Sequence, residues 1–272
     1  MNSQYNFVRG LGFPDVLTPT DELGSSFEKA VLSEYHRLVD LAEIRDFIFL
    51  PSHGDLPNIS TNAVLKSPLK EIKDSGMISI ANVYYRAGIT GSIPAPMARI
   101  EVVRRLSLAQ KNLPENFGLV LLDGYRTIEL QRALYDMNYL NASDLAEGFV
   151  NRPNDSIETP PPHTTGGAVD VSLTYKGIPL ALGTHYDEFN EKTLAMAKNN
   201  ISHMDYMLRK LLIHAMYDAD FVVIPEEWWH FEYGTRFHAA ATHKKAMFGR
   251  INLDSTLYAG SEDSDTKILP QM

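Results

Sequence analysis

Two short segments carry side chains whose types and spacing suit metal chemistry. In Pro162-His163-Thr164-Thr165-Gly166-Gly167-Ala168-Val169-Asp170 a histidine and an aspartate stand seven positions apart across a Gly-Gly pair. Glycines let the backbone turn sharply and approach a ligand closely, so His163 in a loop and Asp170 on the strand that follows can converge. The second segment is Glu227-Trp228-Trp229-His230. Two histidines and one carboxylate leave a fourth position of a zinc ion open for water, the mark of a catalytic rather than a structural site. His163, Asp170 and His230 are therefore the expected ligands of one Zn2+, with unligated Glu227 as the general base acting on that water. By itself, His230 in an apolar strand reads as a packed core histidine; the company of the other three reverses that reading. Glu226 competes for the role of base, but the spacing to His230 favours Glu227. His203 and His214 read as surface or cap positions on a helix.

These side chains need a frame. Val169 to Leu173 reads as a short strand with Val169, Val171 and Leu173 toward the core, which leaves Asp170 on the other face with Ala168 and Ser172. Glu227 and His230 would face opposite sides of a regular strand. They can share a site only if Glu227 lies in the turn after Pro225 and His230 on the strand, so Phe221 to Ile224 and Trp228 to Tyr233 are expected to form a hairpin. Phe117 to Leu122 is an almost continuous apolar run, expected as a strand buried on both faces. Met77 to Tyr85 is expected as a further strand. Helical periodicity marks residues 25 to 41, capped by Ser25 with Glu28, the stretch after Pro96, the run from Leu130 to Leu140, and Met204 to Met216. Residues 53 to 68 and 141 to 162 read as loops, the second long enough to be functional.

The pattern predicts an α+β fold: a single domain with a small, mainly antiparallel sheet that carries the metal site, packed against helices. Residues 1–75 are expected as an N-terminal helical extension packed on the core, 76–250 as the metal-bearing domain and 251–272 as a C-terminal tail. Hydrophobic residues make up 44% and charged residues 22% of the 272, a globular composition. The formal net charge of -9 argues against a nucleic-acid partner, since phosphate affinity comes from clustered Lys and Arg. With no cysteine in the chain, any metal must be held by His, Asp or Glu. No apolar run reaches the length needed to cross a bilayer, and Met1 to Gly10 lacks the pattern of a secretory signal, so a cytoplasmic location away from membranes is expected.

At these residues the chain resembles the VanX-type D-alanyl-D-alanine dipeptidases, a zinc metallopeptidase family that also includes D,D-carboxypeptidases. That family carries Ser-x-His-x-x-Gly-x-Ala-x-Asp and, far downstream, Glu-x-x-His, often written Glu-Trp-Trp-His; both halves appear here from His163 onward. Asp123-Gly124-Tyr125-Arg126 resembles the family segment whose arginine helps stabilise the transition state, which implies that role for Arg126. Gly183-Thr184-His185-Tyr186-Asp187 resembles the segment whose aspartate receives the free amino terminus of the dipeptide, which implies that role for Asp187. The resemblance covers roughly residues 78 to 235. It departs at Pro161, where the family has a serine whose hydroxyl contributes to substrate binding. It implies hydrolysis of D-Ala-D-Ala or a similar short D-amino-acid dipeptide by metal-activated water. The rival readings are a zinc D,D-carboxypeptidase acting on cell-wall peptides, a non-catalytic zinc-containing module that binds peptides, and an iron oxygenase, which also uses two histidines and one carboxylate.

Overall fold

The two longest strands among the described residues lie side by side at the centre of one sheet. They are seen in a computed structural model, which describes residues 16–34, 56–59, 67–140 and 150–253. Phe117–Asp123 (β5) and Ala168–Tyr175 (β6) run antiparallel, and every residue of both is buried. An apolar run such as Phe117–Leu122 needs cover on both faces of a sheet. The register is regular from Phe117 opposite Tyr175 to Leu121 opposite Val171, then slips by one residue so that Asp123 faces Asp170. Such a bulge re-aims side chains. Without it, Asp123 would stand opposite Val169.

A tight turn at Lys176 and Gly177, both with positive φ, sends Ile178–Ala181 (β7) back along the second half of β6. Thr18–Pro19 (β1) adds parallel to β7, and Ile78–Ile80 (β3) adds parallel to β5. Against the first half of β6 lies His230–Glu232 (β9), which also pairs with Val222–Val223 (β8). The result is a seven-stranded, mainly antiparallel sheet. It is larger than the small sheet expected, because strands of two or three residues carry too little alternation to be recognised. Leu69–Glu71 (β2) and Met97–Arg99 (β4) form a separate two-stranded ribbon.

Helices Gly24–Glu34 (α1), Ile100–Asn112 (α3) and His203–Tyr217 (α5) pack together, and α5 also contacts β6. Met207, Leu208, Leu211, Leu212 and Met216 of α5 join Phe27 and Val31 of α1 in the same core as β5 and β6. Cutting any one of these large side chains to alanine costs about 2–5 kcal/mol. A fourth helix, Ile128–Tyr135 (α4), starts at Thr127, whose hydroxyl accepts the Leu130 amide at 3.0 Å. Arg236–Thr242 (α6) follows the hairpin. Among the described residues no helix is long and apolar enough to cross a membrane.

Three expectations need correction. The helix expected from Ser25 begins at Gly24, directly after a 3-10 turn over Thr20–Leu23, so Ser25 lies inside it; its expected end at residue 41 falls outside the described residues. The strand expected over Met77 to Tyr85 stops at Ile80. Asn82 takes a left-handed conformation at φ 42, its amide donates to the carbonyls of Ile93 and Pro94 at 3.0 Å each, and the chain turns into a one-turn helix, Val83–Arg86 (α2). That break sends Tyr84 toward the Asp170 cluster. The third periodic run is α-helical only to Tyr135 and continues as a π turn over Asp136–Leu140.

Candidate active site

His163 sits in a single 3-10 turn, Pro162–Thr165. Proline at the first position presets the backbone, and the hydroxyls of Thr164 and Thr165 donate to the carbonyls of Pro161 and Pro162 at 2.7 and 2.6 Å. Gly166 ends the turn at φ +70, and a Cβ there would lie 2.6 Å from Leu69 Cδ2. From beneath, the buried guanidinium of Arg99 holds the Thr165 carbonyl at 2.7 Å. Asp170 then lies in register between two neighbours, Asp123 on β5 and His230 on β9. Glu227 lies in the connection between β8 and β9. Its neighbour Trp228 anchors that connection through its backbone amide to Thr193 O at 2.9 Å and its indole N–H to Thr184 Oγ1 at 2.8 Å.

Each of the three expected ligands is buried, and each has one atom held elsewhere and one left for the others. His163 Nδ1 donates to the Gly124 carbonyl at 2.7 Å, which leaves the Nε2 lone pair free. His230 Nε2 donates to Glu232 Oε1 at 3.0 Å, which leaves Nδ1. Asp170 Oδ2 accepts from Tyr186 Oη at 2.6 Å and Arg126 Nη2 at 3.0 Å, which leaves Oδ1. The three remaining atoms form a triangle: 3.0 Å from His163 Nε2 to His230 Nδ1, 3.1 Å from His230 Nδ1 to Asp170 Oδ1, and 3.3 Å from His163 Nε2 to Asp170 Oδ1. Ligands at tetrahedral angles around zinc, with bonds near 2.0–2.1 Å, stand about 3.3–3.4 Å apart. The donor set therefore fits a divalent cation with a small expansion. The carboxyls of Asp123, Asp170, Glu227 and Glu232 are all buried, and a buried carboxylate is costly unless it is paired.

Glu227 Oε2 lies 3.8 Å from His230 Nδ1. Burial is the main influence on its carboxyl, and with Asp170 and Asp187 nearby it is pushed up to about 8 despite the opposing pull of His230. Arg126 is buried rather than a surface residue, with Nε on Asp123 Oδ2 at 2.6 Å and Nη2 shared between Asp170 and Tyr84. Its Nη1 makes no hydrogen bond to another described residue. Tyr84 Oη donates to Asp187 Oδ2 at 2.6 Å and lies 3.0 Å from Tyr186 Oη. Burial holds both phenols well above their ordinary range, so they stay protonated. Asp187 borders the cavity with φ 54, and desolvation pushes its carboxyl up to about 7 against the hydrogen bond from Tyr84. Arg126, Asp187, Glu227, His163 and His230 all line one cavity of about 370 Å3, the size of a small-molecule site.

Five of the six expected site residues thus line that cavity, and the sixth, Asp170, joins His163 and His230 in the triangle. Sequence reasoning missed Tyr84, Tyr186, Asp123 and Glu232 as members. Tyr84 was hidden by the strand expected there. Tyr186 and Asp123 stand within the motifs that supplied Asp187 and Arg126, and Glu232 shares a strand face with His230, which was the available signal. Pro161 also lines the cavity, offering no hydroxyl where the resemblance would place one.

The chain is similar to several known proteins. A family model described as D-ala-D-ala dipeptidase, peptidase family M15, matches residues 89–246. A protein named D-alanyl-D-alanine dipeptidase from Synechocystis sp. is 27% identical over 226 residues, covering 68% of this chain and 92% of its own length. The crystal structure of the vancomycin-resistance D,D-dipeptidase VanXYg, in complex with a D-Ala-D-Ala phosphinate analogue, is a looser likeness. It is 22% identical with a TM-score of 0.35, covering 65% of this chain and 61% of that one. With its model matched over more than half of the 272 residues, the chain belongs to peptidase family M15, the D-ala-D-ala dipeptidases, whose members are metal-dependent.

Proposed function

We propose that the protein is a zinc dipeptidase that hydrolyses D-Ala-D-Ala or a similar short D-amino-acid dipeptide. The observation that carries this reading is the triangle of three converging ligand atoms with the Glu227 carboxyl 3.8 Å from one of them, at the wall of a cavity sized for a small molecule. His163 Nε2, His230 Nδ1 and Asp170 Oδ1 would hold the ion. When bound, zinc supplies Lewis acidity, which makes water a better acid and polarises the scissile carbonyl.

The chain's own groups do the rest. Glu227 takes a proton from the attacking water as a bond forms from its oxygen to the carbonyl carbon. The same carboxyl then delivers that proton to the leaving amine as the C–N bond breaks. Without metal, burial pushes that carboxyl up to about 8, so it is a stronger base than an exposed glutamate. Arg126 faces the cavity with Nη1 uncommitted among the described residues and would donate to the developing oxyanion, where positive charge in a desolvated site is worth most. Asp187 would accept the substrate's ammonium group. An anchor there favours a dipeptide, because a longer chain carries its amino group past it.

Incubating the zinc-loaded protein with D-Ala-D-Ala, L-Ala-L-Ala and a longer peptide ending in D-Ala-D-Ala tests the reading. Cleavage of the first alone is expected. Release of terminal D-Ala from the long peptide would assign a D,D-carboxypeptidase instead, and no cleavage of any would refute both.

A further inference from the structure

Glu232 is a buried carboxylate that the proposed reaction does not use. It stands two residues after His230 on β9 and so shares its face, opposite the small side chain of Ala168 on β6. Only 1% of it is exposed, and it contributes to the cavity wall. One oxygen accepts His230 Nε2–H at 3.0 Å, while the other, Oε2, is buried without a hydrogen-bond partner among the described residues. Burying a carboxylate costs stability; its charge acts on Arg236 and His238, but among the described residues its hydrogen bond goes to His230.

A neutral imidazole carries a single N–H. With that hydrogen at Nε2 facing Glu232, the lone pair is at Nδ1, the atom 3.0 Å from His163 Nε2 and 3.1 Å from Asp170 Oδ1. The other tautomer would point an N–H into the triangle and leave Glu232 facing a lone pair. His163 is set in the complementary sense by a neutral carbonyl, Gly124 O at 2.7 Å. We infer that Glu232 is a positioning residue of the cation site: it selects the Nδ1-ligating tautomer of His230 and holds the ring in the plane that completes the triangle. Hydrogen-bond partners of this kind orient metal-binding histidines.

The inference rests on the proposed function only in taking the triangle as a divalent-cation site, so its test reads the metal and not turnover. Zn2+ affinity is measured by competition with a chromophoric chelator, and ligand geometry by the visible spectrum of the Co2+-substituted protein. Glu232→Ala should bind Zn2+ about 10–100-fold more weakly and change the Co2+ bands. Glu232→Gln, whose side-chain carbonyl can still accept Nε2–H, should recover most of the affinity. Wild-type affinity and spectrum in the alanine variant would overturn the inference, as would a glutamine variant as weak as the alanine one. Should Glu232→Ala fail to fold, 15N NMR of the zinc-loaded wild type decides: Nδ1 coordinated with a proton on Nε2 is expected, and coordination through Nε2 overturns it. Zinc bound in the expected manner without dipeptide hydrolysis would refute the proposed function and leave Glu232 its role.

Discussion

Adding Zn2+ to the metal-free protein at pH 7 should expel between one and two protons per ion. Burial by itself would pull the His230 imidazole down, but hydrogen bonds to Asp170 and Glu232 outweigh it and hold the ring at about 10. At pH 7 the metal-free ring is therefore cationic, and its Nδ1 must lose a proton before it can ligate. That gap of about three units costs about 4 kcal/mol, at about 1.4 kcal/mol per unit. Glu227, raised to about 8 mainly by burial, is also largely protonated at pH 7, and a dication nearby would drive that proton off. Apparent Zn2+ affinity should thus rise about tenfold or more per pH unit from pH 6 to 8 and flatten above about 10. Isothermal titration calorimetry in buffers of different ionisation enthalpy counts the protons directly. A release of zero, with affinity flat from pH 6 to 8, would refute the reasoning. The metal-free fold responds in the opposite sense. A histidine raised above its unfolded value stabilises fully below about 6.5 and loses that contribution as pH rises through about 10, so metal-free thermal stability should fall across this window.

Glu227→Gln should retain zinc by elemental analysis yet lose about 10²–10⁴-fold in kcat; full activity would rule out its role as base. Arg126→Lys should lower kcat by about 10²–10³ with little change in KM, because one ammonium cannot serve Asp123, Asp170 and an oxyanion together. Arg126→Ala, which strands two buried carboxylates, should also cost about 3–5 kcal/mol in denaturant unfolding. For Asp187, whose carboxyl is pushed up to about 7, the dipeptide KM should fall as pH rises through about 7, because only the anion pairs with an ammonium; Asp187→Asn should abolish that dependence. Gly166→Ala places a Cβ 2.6 Å from Leu69 Cδ2 at a φ of +70, so thermal melts should show a loss of about 1–2 kcal/mol and chelator competition a weaker metal site.

The side chains that converge at the candidate site and the central strands were legible in the amino-acid sequence alone. His163, Asp170, Glu227 and His230 sit in short segments where local backbone rules suffice: a glycine pair permits the turn, and the two-residue period of a strand fixes which side chains share a face. The requirement that Glu227 and His230 share a site was enough to place a turn before the strand, and the chain has one there. What only the tertiary structure decided is how these segments meet. The one-residue bulge in β5 that sets Asp123 opposite Asp170, the left-handed Asn82 that turns Tyr84 toward Asp170, and the burial of Arg126 between two aspartates depend on long-range pairing. So do the raised carboxyls of Glu227 and Asp187, whose chief cause is the protein packed around them. Spacing along a chain encodes local geometry, whereas the energy of a buried charge is set by residues distant in sequence.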